Sequence, residues 1–436
     1  MHRKPLIVAT AILTLASLTL TACGSSGSPS SSGKTAITYM TWEAVNTNAA
    51  LDTSMTKFAK SSGIKVERVA APNADYAQKL ASLILDKKAP DAFWCTTGEA
   101  QNLAAEGLLY DWTKQLDSGD GLKAANFSPG ALSMWKTPDG KIAGIPSLAN
   151  TYGFFYDANT FKAAGVPVPA IGWTWNDLFS DIQKLKAADP KTTPLVTQWP
   201  LLDSPQGVSA YSVANGGQPF LDSFIHTTRV QADPTFRAGA RRFAEAIAAG
   251  QMTGPDYQAT NAMAEFSNGA IPLMFGGQWL QEDIAPNKPK FDWGFAPWPA
   301  GTTASVQPIE TNGICSPSSL KDPADTWKMI SYMETTGFND TMKTVPVAPI
   351  AYTPGSKGYY EYLSDAGDPA SKSIEATVRY ELAANDKFST EFLEPWATKA
   401  SEVETTAWNP AIQSPSKLDS GIDATVTGIQ KLVGTK

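Results

Sequence analysis

Thirteen tryptophans against two histidines set the chemistry this chain is equipped for. An indole ring offers a flat apolar face with a polar N–H at its edge, whereas proton transfer near neutral pH draws first on imidazole. Several tryptophans stand beside side chains that donate or accept hydrogen bonds in pairs. Trp42 precedes Glu43, Trp199 follows Gln198 and lies close to Asp203, and Trp279 follows Gly277 and Gln278. Trp94, Asn150, Tyr152 and Trp396 extend the set. Such groups suit a ligand with a face of C–H groups, which stacks on a ring, and a rim of hydroxyls, which pairs with planar Asp, Glu, Asn and Gln side chains. Catalytic signatures are missing: G-x-S-x-G, H-E-x-x-H, G-x-G-x-x-G and the P-loop do not occur, and no spacing singles out a pair of carboxylates.

The elements that must carry these residues alternate between strand and helix. Ile37–Met40 reads as a strand, and Leu51, Met55 and Phe58 then share one helix face that stops at Gly63. Ile64 and Val66 alternate with charged residues in a second strand. Tyr76, Leu80, Leu83 and Ile84 mark a helix, and Ala92–Cys95 a short strand. This order predicts an α/β fold with mainly parallel sheets covered on both faces. Strands at Ile142–Pro146 and Gly153–Tyr156 begin a second region. There Thr174 is an N-cap for a helix striped by Leu178, Ile182 and Leu185, and Asp233-Pro234 opens another, with Phe236, Ala240, Phe243 and Ile247 on one face. Turn signals flank a strand at Ile271–Phe275, and Asp322-Pro323 starts a helix through Trp327 and Ile330. Trp42, Trp94 and Trp279 each follow a strand, where loops of open α/β sheets form ligand crevices. Trp112, Trp175 and Trp327 lie on or beside helix stripes and are expected in the core, and His226 is expected at the surface or satisfied.

With 436 residues the chain is long enough for two or three domains, and two is the working expectation. Arg3 and Lys4 belong to the N-terminal segment; the rest carries 33 basic against 42 acidic residues, a net of −9. That balance argues against nucleic acid, whose binding needs a concentrated basic surface. Met1–Lys4 is basic and Leu6–Ala22 is a mostly apolar run, short for a spanning helix of ~20 residues, so residues 1–22 read as a signal peptide. Leu20-Thr21-Ala22-Cys23 resembles the bacterial lipobox, which would make Cys23 the acylated first residue of the mature protein and attach it to the membrane outside the cytoplasm. An ordinary secretory signal or an uncleaved anchor helix are the alternatives. Residues 24–35 are nearly all Gly, Ser and Pro, a flexible tether whose reach is roughly 20 Å. Cys95 and Cys315 remain, either as a disulfide, which persists in such a compartment, or as two buried free thiols. No His or Cys cluster surrounds either, so no metal is expected.

Several segments in order, "ITYMTWEA", "DYAQKLASLILDKKAPDAFW", "GKIAGIPSLANTYGFFYDANTFKAAGVPVP", "TWNDLFSDIQKLK", "EFSNGAIPLMFGGQW" with "FDWGFAPWPAG", and "NGICSPSSLKDPADTWKMISYMET", resemble the extracytoplasmic solute-binding proteins of ABC importers. The branch they match is the maltose/multiple-sugar-binding-like one. The likeness spans nearly all of residues 36–340 and loosens beyond. It implies a periplasmic-binding-protein-like fold of two lobes joined by three crossings, near Pro146–Leu148, Gly301 and residues 336–340. One lobe would hold 36–147 and 302–338, the other 148–301 and 339–436, with Cys95 and Cys315 in the same lobe. A sugar or oligosaccharide would lie between the lobes, closure would sequester it, and a permease pair driven by cytoplasmic ATPases would receive it. The implied protein is a monomer without cofactor or catalysis. Carried over by position, Trp42, Glu43, Trp94, Asn150 and Trp279 contact ligand, with Tyr152 and Gly277 beside them; Gln198, Trp199, Asp203 and Trp396 follow from segments that align poorly.

Three alternatives stay open. Polyamines need facing carboxylates with aromatic walls, which Glu43 and the tryptophans could mimic. Tyr359-Tyr360-Glu361-Tyr362 resembles the tyrosine clusters that related proteins use for ferric iron. A secreted glycosidase would need two carboxylates about 5–10 Å apart.

Overall fold

The computed structural model describes residues 36–71, 73–199, 201–257 and 262–435. The signal peptide, Cys23 and the tether lie outside the described residues. Among these residues no helix is long and apolar enough to cross a membrane.

The first sheet is built from β1 (Ile37–Met40), β2 (Val66–Arg68), β3 (Ala92–Cys95), β4 (Ile145–Asn150), β9 (Gln307–Cys315) and β10 (Lys387–Ser389), in the order β10-β9-β3-β1-β2 with β4 also on β9. The second contains β5 (Tyr152–Asp157), β6 (Leu195–Thr197), β7 (Leu273–Gly277) and β8 (Trp293–Ala296), in the order β6-β7-β5-β8. β1 runs parallel to both β2 and β3, as helical crossovers require. β9 is antiparallel to β3 and β4, and β5 is antiparallel to β7 and β8. The sheets are therefore mixed and not mainly parallel, because strands that pass between lobes arrive without a crossover helix.

The helix Val45–Ser62 buries Leu51, Met55 and Phe58, each side chain contributing about 1.5–3 kcal/mol. Gly63 ends it in the left-handed region, φ 73°, which residues with a Cβ adopt at a cost. Thr174 caps Trp175–Ala188 through a capping box with Asp177, and Asp233 and Asp322 cap the helices Pro234–Ala248 and Pro323–Tyr332. Trp112, Trp175 and Trp327 are all buried. The sulfurs of Cys95 and Cys315 are bonded, with Cα atoms 6.1 Å apart, and join β3 to β9.

Thr151 alone separates β4 from β5, so the chain passes from one sheet to the other in a single residue. The expected boundary at 147/148 falls inside β4, which stays paired with β9 as far as Asn150 opposite Glu310. The chain returns between β8 and β9, in residues 297–306; Ala300 there still bonds to Trp173. Residues 333–342 are helical, and the later segment 349–351 lies along β4, with Ala149 N–H to Pro349 O at 2.9 Å and Ala351 N–H to Ser147 O at 2.6 Å.

Candidate functional site

The loop after β1 is braced before it delivers its aromatic side chain. The Thr41 hydroxyl donates to Asn48 Oδ1 at 2.5 Å, and Asn48 Nδ2 donates to the Glu43 carbonyl at 2.6 Å. Trp42, half-buried, stacks on Trp94 with ring centres 5.8 Å apart and meets the edge of Tyr76 at 5.3 Å. The other side of Trp94 is covered by Phe338 at 5.3 Å, and Trp94 is 1% exposed. Trp94 thus underlies Trp42 and presents no open face of its own. Tyr76 anchors this stack by donating its hydroxyl to the Trp94 carbonyl at 2.7 Å.

On the second lobe Trp279 follows β7. Its ring meets Tyr152 edge-on at 5.2 Å and Trp199 at 6.5 Å. A Cβ at Gly277 would sit 2.0 Å from that ring, so glycine is required for the indole to lie over the backbone. Trp279 is half-buried and packs against the apolar cores of both sheets. Trp199 is 50% exposed. Gln198 donates its backbone N–H to Phe275 O at 2.8 Å, which keeps it beside β7, and its side-chain Oε1 is buried without a partner.

A buried polar layer lies at the Thr151 crossing, reached from Trp279 through Tyr152. Glu310, on β9, accepts from Asn150 Nδ2 at 3.1 Å, from Thr390 Oγ1 at 3.2 Å and from the Tyr152 hydroxyl. Gln278 accepts the Thr151 N–H at 2.7 Å and donates to Asn150 Oδ1 at 3.4 Å and Val347 O at 3.3 Å. Asn150, Tyr152 and Gln278 are all buried, so these groups tie β4, β5, β7 and β9 together where the lobes meet. Burial raises the Glu310 carboxyl, against hydrogen bonds that favour its ionised form. Glu391, whose carboxylate accepts the Gly98 N–H at 2.9 Å, is pushed up to about 8 by burial and by the charge of Glu310.

A second pair of carboxyls, Glu43 and Glu282, is distant in the chain yet close enough in space to interact through charge. Glu43 is pushed up to about 8 by burial and by the nearby charge of Glu282, which lies just after Trp279 in the chain. Glu282 itself is raised to about 7, by burial first and then by Asp283.

The remaining expected residues lie elsewhere. Asp203 is buried in the second lobe, with its backbone carbonyl accepting the Trp408 indole N–H at 2.8 Å. Trp396 is 1% exposed, packs on Phe392 at 5.8 Å and borders a cavity of about 620 Å³ with Gln101, Tyr110, Lys141 and Glu394. The tyrosine cluster is spread around its helix: Tyr359 is buried and accepts from Gln281 at 3.1 Å, while the Arg379 guanidinium lies 3.7 Å over the Tyr360 ring. Gln278 stands in the expected Gly277-Gln278-Trp279 loop, whereas Tyr76, Glu282, Glu310 and Glu391 are not among the expected site residues. A signal existed only for Glu310, a charged residue in the otherwise uncharged run Gln307–Cys315.

Residues 53–368 match the family model for bacterial extracellular solute-binding proteins. A binding protein of Brucella abortus is 23% identical over 199 residues, 45% of this chain and 47% of the relative. The sn-glycerol-3-phosphate-binding periplasmic protein of the same organism is 26% identical over 104 residues, 23% of this chain and 24% of its own. The chain thus spans about half or less of the length of the curated relatives it matches. Among solved structures, the Listeria monocytogenes ABC substrate-binding protein in complex with cycloalternan superposes with a TM-score of 0.73 at 20% identity, over 92% of this chain and 99% of that one. The cyclic alpha-maltosyl-1,6-maltose binding protein of Arthrobacter globiformis gives 0.73 at 18% identity, over 93% and 100%. At these identities the likeness is one of fold.

Proposed function

This chain belongs to the bacterial extracellular solute-binding proteins, and on that premise we propose that it captures a sugar or oligosaccharide between its lobes and delivers it to the permease of an ABC importer. The observation that carries the reading is a half-buried tryptophan after a strand of each sheet, Trp42 and Trp279, with neighbouring carboxyls Glu43 and Glu282 close enough to feel each other's charge and a buried hydrogen-bonding layer beside Trp279. Flat rings accept the C–H faces of a pyranose, and planar polar side chains pair with its hydroxyls. In this reading Trp42, Glu43, Trp199, Gln198 and Trp279 face the ligand, Trp94 supports Trp42, and Gly277, Asn150 and Tyr152 shape the floor. Capture involves no bond-making. A ligand touching both lobes favours the closed arrangement in proportion to its extra contacts there. The Listeria fold relative in complex with cycloalternan and the cyclic alpha-maltosyl-1,6-maltose binding protein of Arthrobacter support the same reading.

The raised carboxyls of Glu43 and Glu282 favour a second reading, in which the ligand is a polyamine. A thermal-shift panel separates the two. A ligand present at about 100 times its dissociation constant adds ~2.7 kcal/mol to the folded state. The expected result is stabilisation by at least one saccharide and none by spermidine or putrescine; stabilisation by the amines alone reverses the assignment.

Members of this family work outside the cytoplasm. For this chain we add that Cys23 carries the lipid that holds it, as a monomer, at the membrane surface. Cys23→Ala is expected to move the protein from the membrane fraction into the medium, and retention of that variant in the membrane would rule the anchor out.

A further inference from the structure

A second polar cavity, of about 170 Å³, opens in the second lobe and shares no residue with the Trp42–Trp279 site. It is lined by Asp203, Ser204, Pro255, Ser401, Glu404, Thr405 and Asn409. Asp203 is 2% exposed, yet its Oδ2 has no hydrogen-bond partner, and the buried Oε1 of Glu404 has none either. A carboxylate removed from water is costly unless it is paired or coordinates a metal.

Both carboxylates are held by defined structure. The Asp203 carbonyl takes the Trp408 indole N–H at 2.8 Å, and the next residue, Ser204, caps the helix Pro205–Ala214 by accepting the Gly207 N–H at 3.2 Å. Glu404 begins a single π-turn, Glu404–Trp408, a local widening that often marks a functional position in a helix. The same turn therefore supplies Glu404 and the tryptophan that fixes Asp203.

From this geometry we propose that the second lobe binds a divalent cation of calcium size between Asp203 and Glu404. Hydroxyl and amide oxygens of the lining and water complete its shell. The lining offers only oxygen donors besides apolar atoms, which selects a hard cation over zinc or copper. Groups of three or more His, Cys, Asp or Glu that could hold a metal do not occur among the described residues, so most of the ligands must be neutral. Calcium accepts six to eight oxygens in irregular arrangements, whereas magnesium demands a near-ideal octahedron. At about 30 Å³ per water, the cavity has room for the ion with roughly four waters. Bound there, the ion would join the start of Pro205–Ala214 to the C-terminal helical segment and stiffen the second lobe without entering the sugar site.

The test uses the whole protein after removal of metal with EDTA, and terbium as the probe, because Trp408 adjoins Asp203 and can sensitise its luminescence. The expected result is saturable terbium emission excited through tryptophan, displaced by calcium and not by sodium at matched ionic strength. Calcium should half-saturate on the order of 10⁻⁴–10⁻³ M. Asp203→Asn should abolish the emission and Glu404→Gln should weaken binding by roughly tenfold or more. Glu404 is only half-buried, so its variant carries the test should Asp203→Asn fail to fold. Trp279→Ala should leave the emission unchanged. No sensitised emission from the parent protein, emission that survives both carboxylate variants, or loss of emission in Trp279→Ala would each overturn the proposal.

Discussion

Replacing Trp279 by alanine is expected to weaken saccharide binding by about 30- to 150-fold, the equivalent of about 2–3 kcal/mol, while the fold persists. The size follows from how the ring is held. Tyr152 and Trp199 meet it edge-on, at 85° and 86°, and the Gly277 backbone lies beneath it, so the indole is fixed before the ligand arrives. A fixed ring loses little freedom on binding, and its stacking energy reaches the ligand undiminished. The underlying layer is expected to persist in the variant, because the hydrogen bonds of Gln278, Asn150 and Tyr152 are made by their own side chains and none involves the indole. Calorimetric titration of parent and variant with the saccharide identified by thermal shift is the measurement. Equal affinities in a variant with unchanged circular dichroism would remove Trp279 from the site.

Stability should fall as pH rises from about 5 to about 8, by up to about 1.4 kcal/mol per pH unit for each carboxyl involved. Glu381 is fully buried and pushed up to about 8 by burial, with the Trp298 N–H, 2.9 Å away, opposing the shift. Glu391 is raised to about 8 by burial first and the Glu310 charge second, against the Gly98 N–H. Their folded values lie above the ordinary value near 4.3, so in this window the folded chain keeps protons that the unfolded chain has released. The stabilisation is complete below the unfolded value and is lost as pH passes through the folded one. Urea unfolding at pH 5, 6, 7 and 8 reads the slope directly. Glu381→Gln keeps an acceptor for the Trp298 N–H and removes one titration, so its slope should be shallower. A flat or rising profile for the parent would contradict the assignment of these buried carboxyls as neutral.

Local signals were strong enough to read most of the framework. The stripe Leu51, Met55 and Phe58, the stop at Gly63, and the caps at Thr174, Asp233 and Asp322 are each decided within a few residues, by side-chain periodicity and by backbone donors that need a partner. Strand direction was less legible. Nothing in Gln307–Cys315 announces that it runs against β3 and β4, because pairing partners lie far away in the chain. The site divided the same way. That Trp42 and Trp279 stand after strands is a local fact, visible in "TYMTW" and "MFGGQW".

What the order of residues determined by itself is the alternating α/β pattern, the exits at which aromatic side chains leave the strands, and the absence of a catalytic signature. Only the tertiary structure decided which of those side chains keep an open face. Trp42 stands two residues past β1, whereas Trp94 lies inside β3 opposite Ile314, where Phe338 covers its ring. Glu310, Asn150, Tyr152 and Gln278 became one layer because a single residue, Thr151, carries the chain between sheets and brings distant polar groups into a dry junction. Asp203 stands only four residues from Trp199, but the Trp408 indole holds it inside the second lobe with Glu404. Burial and pairing depend on contacts between segments hundreds of residues apart, and no local pattern encodes them.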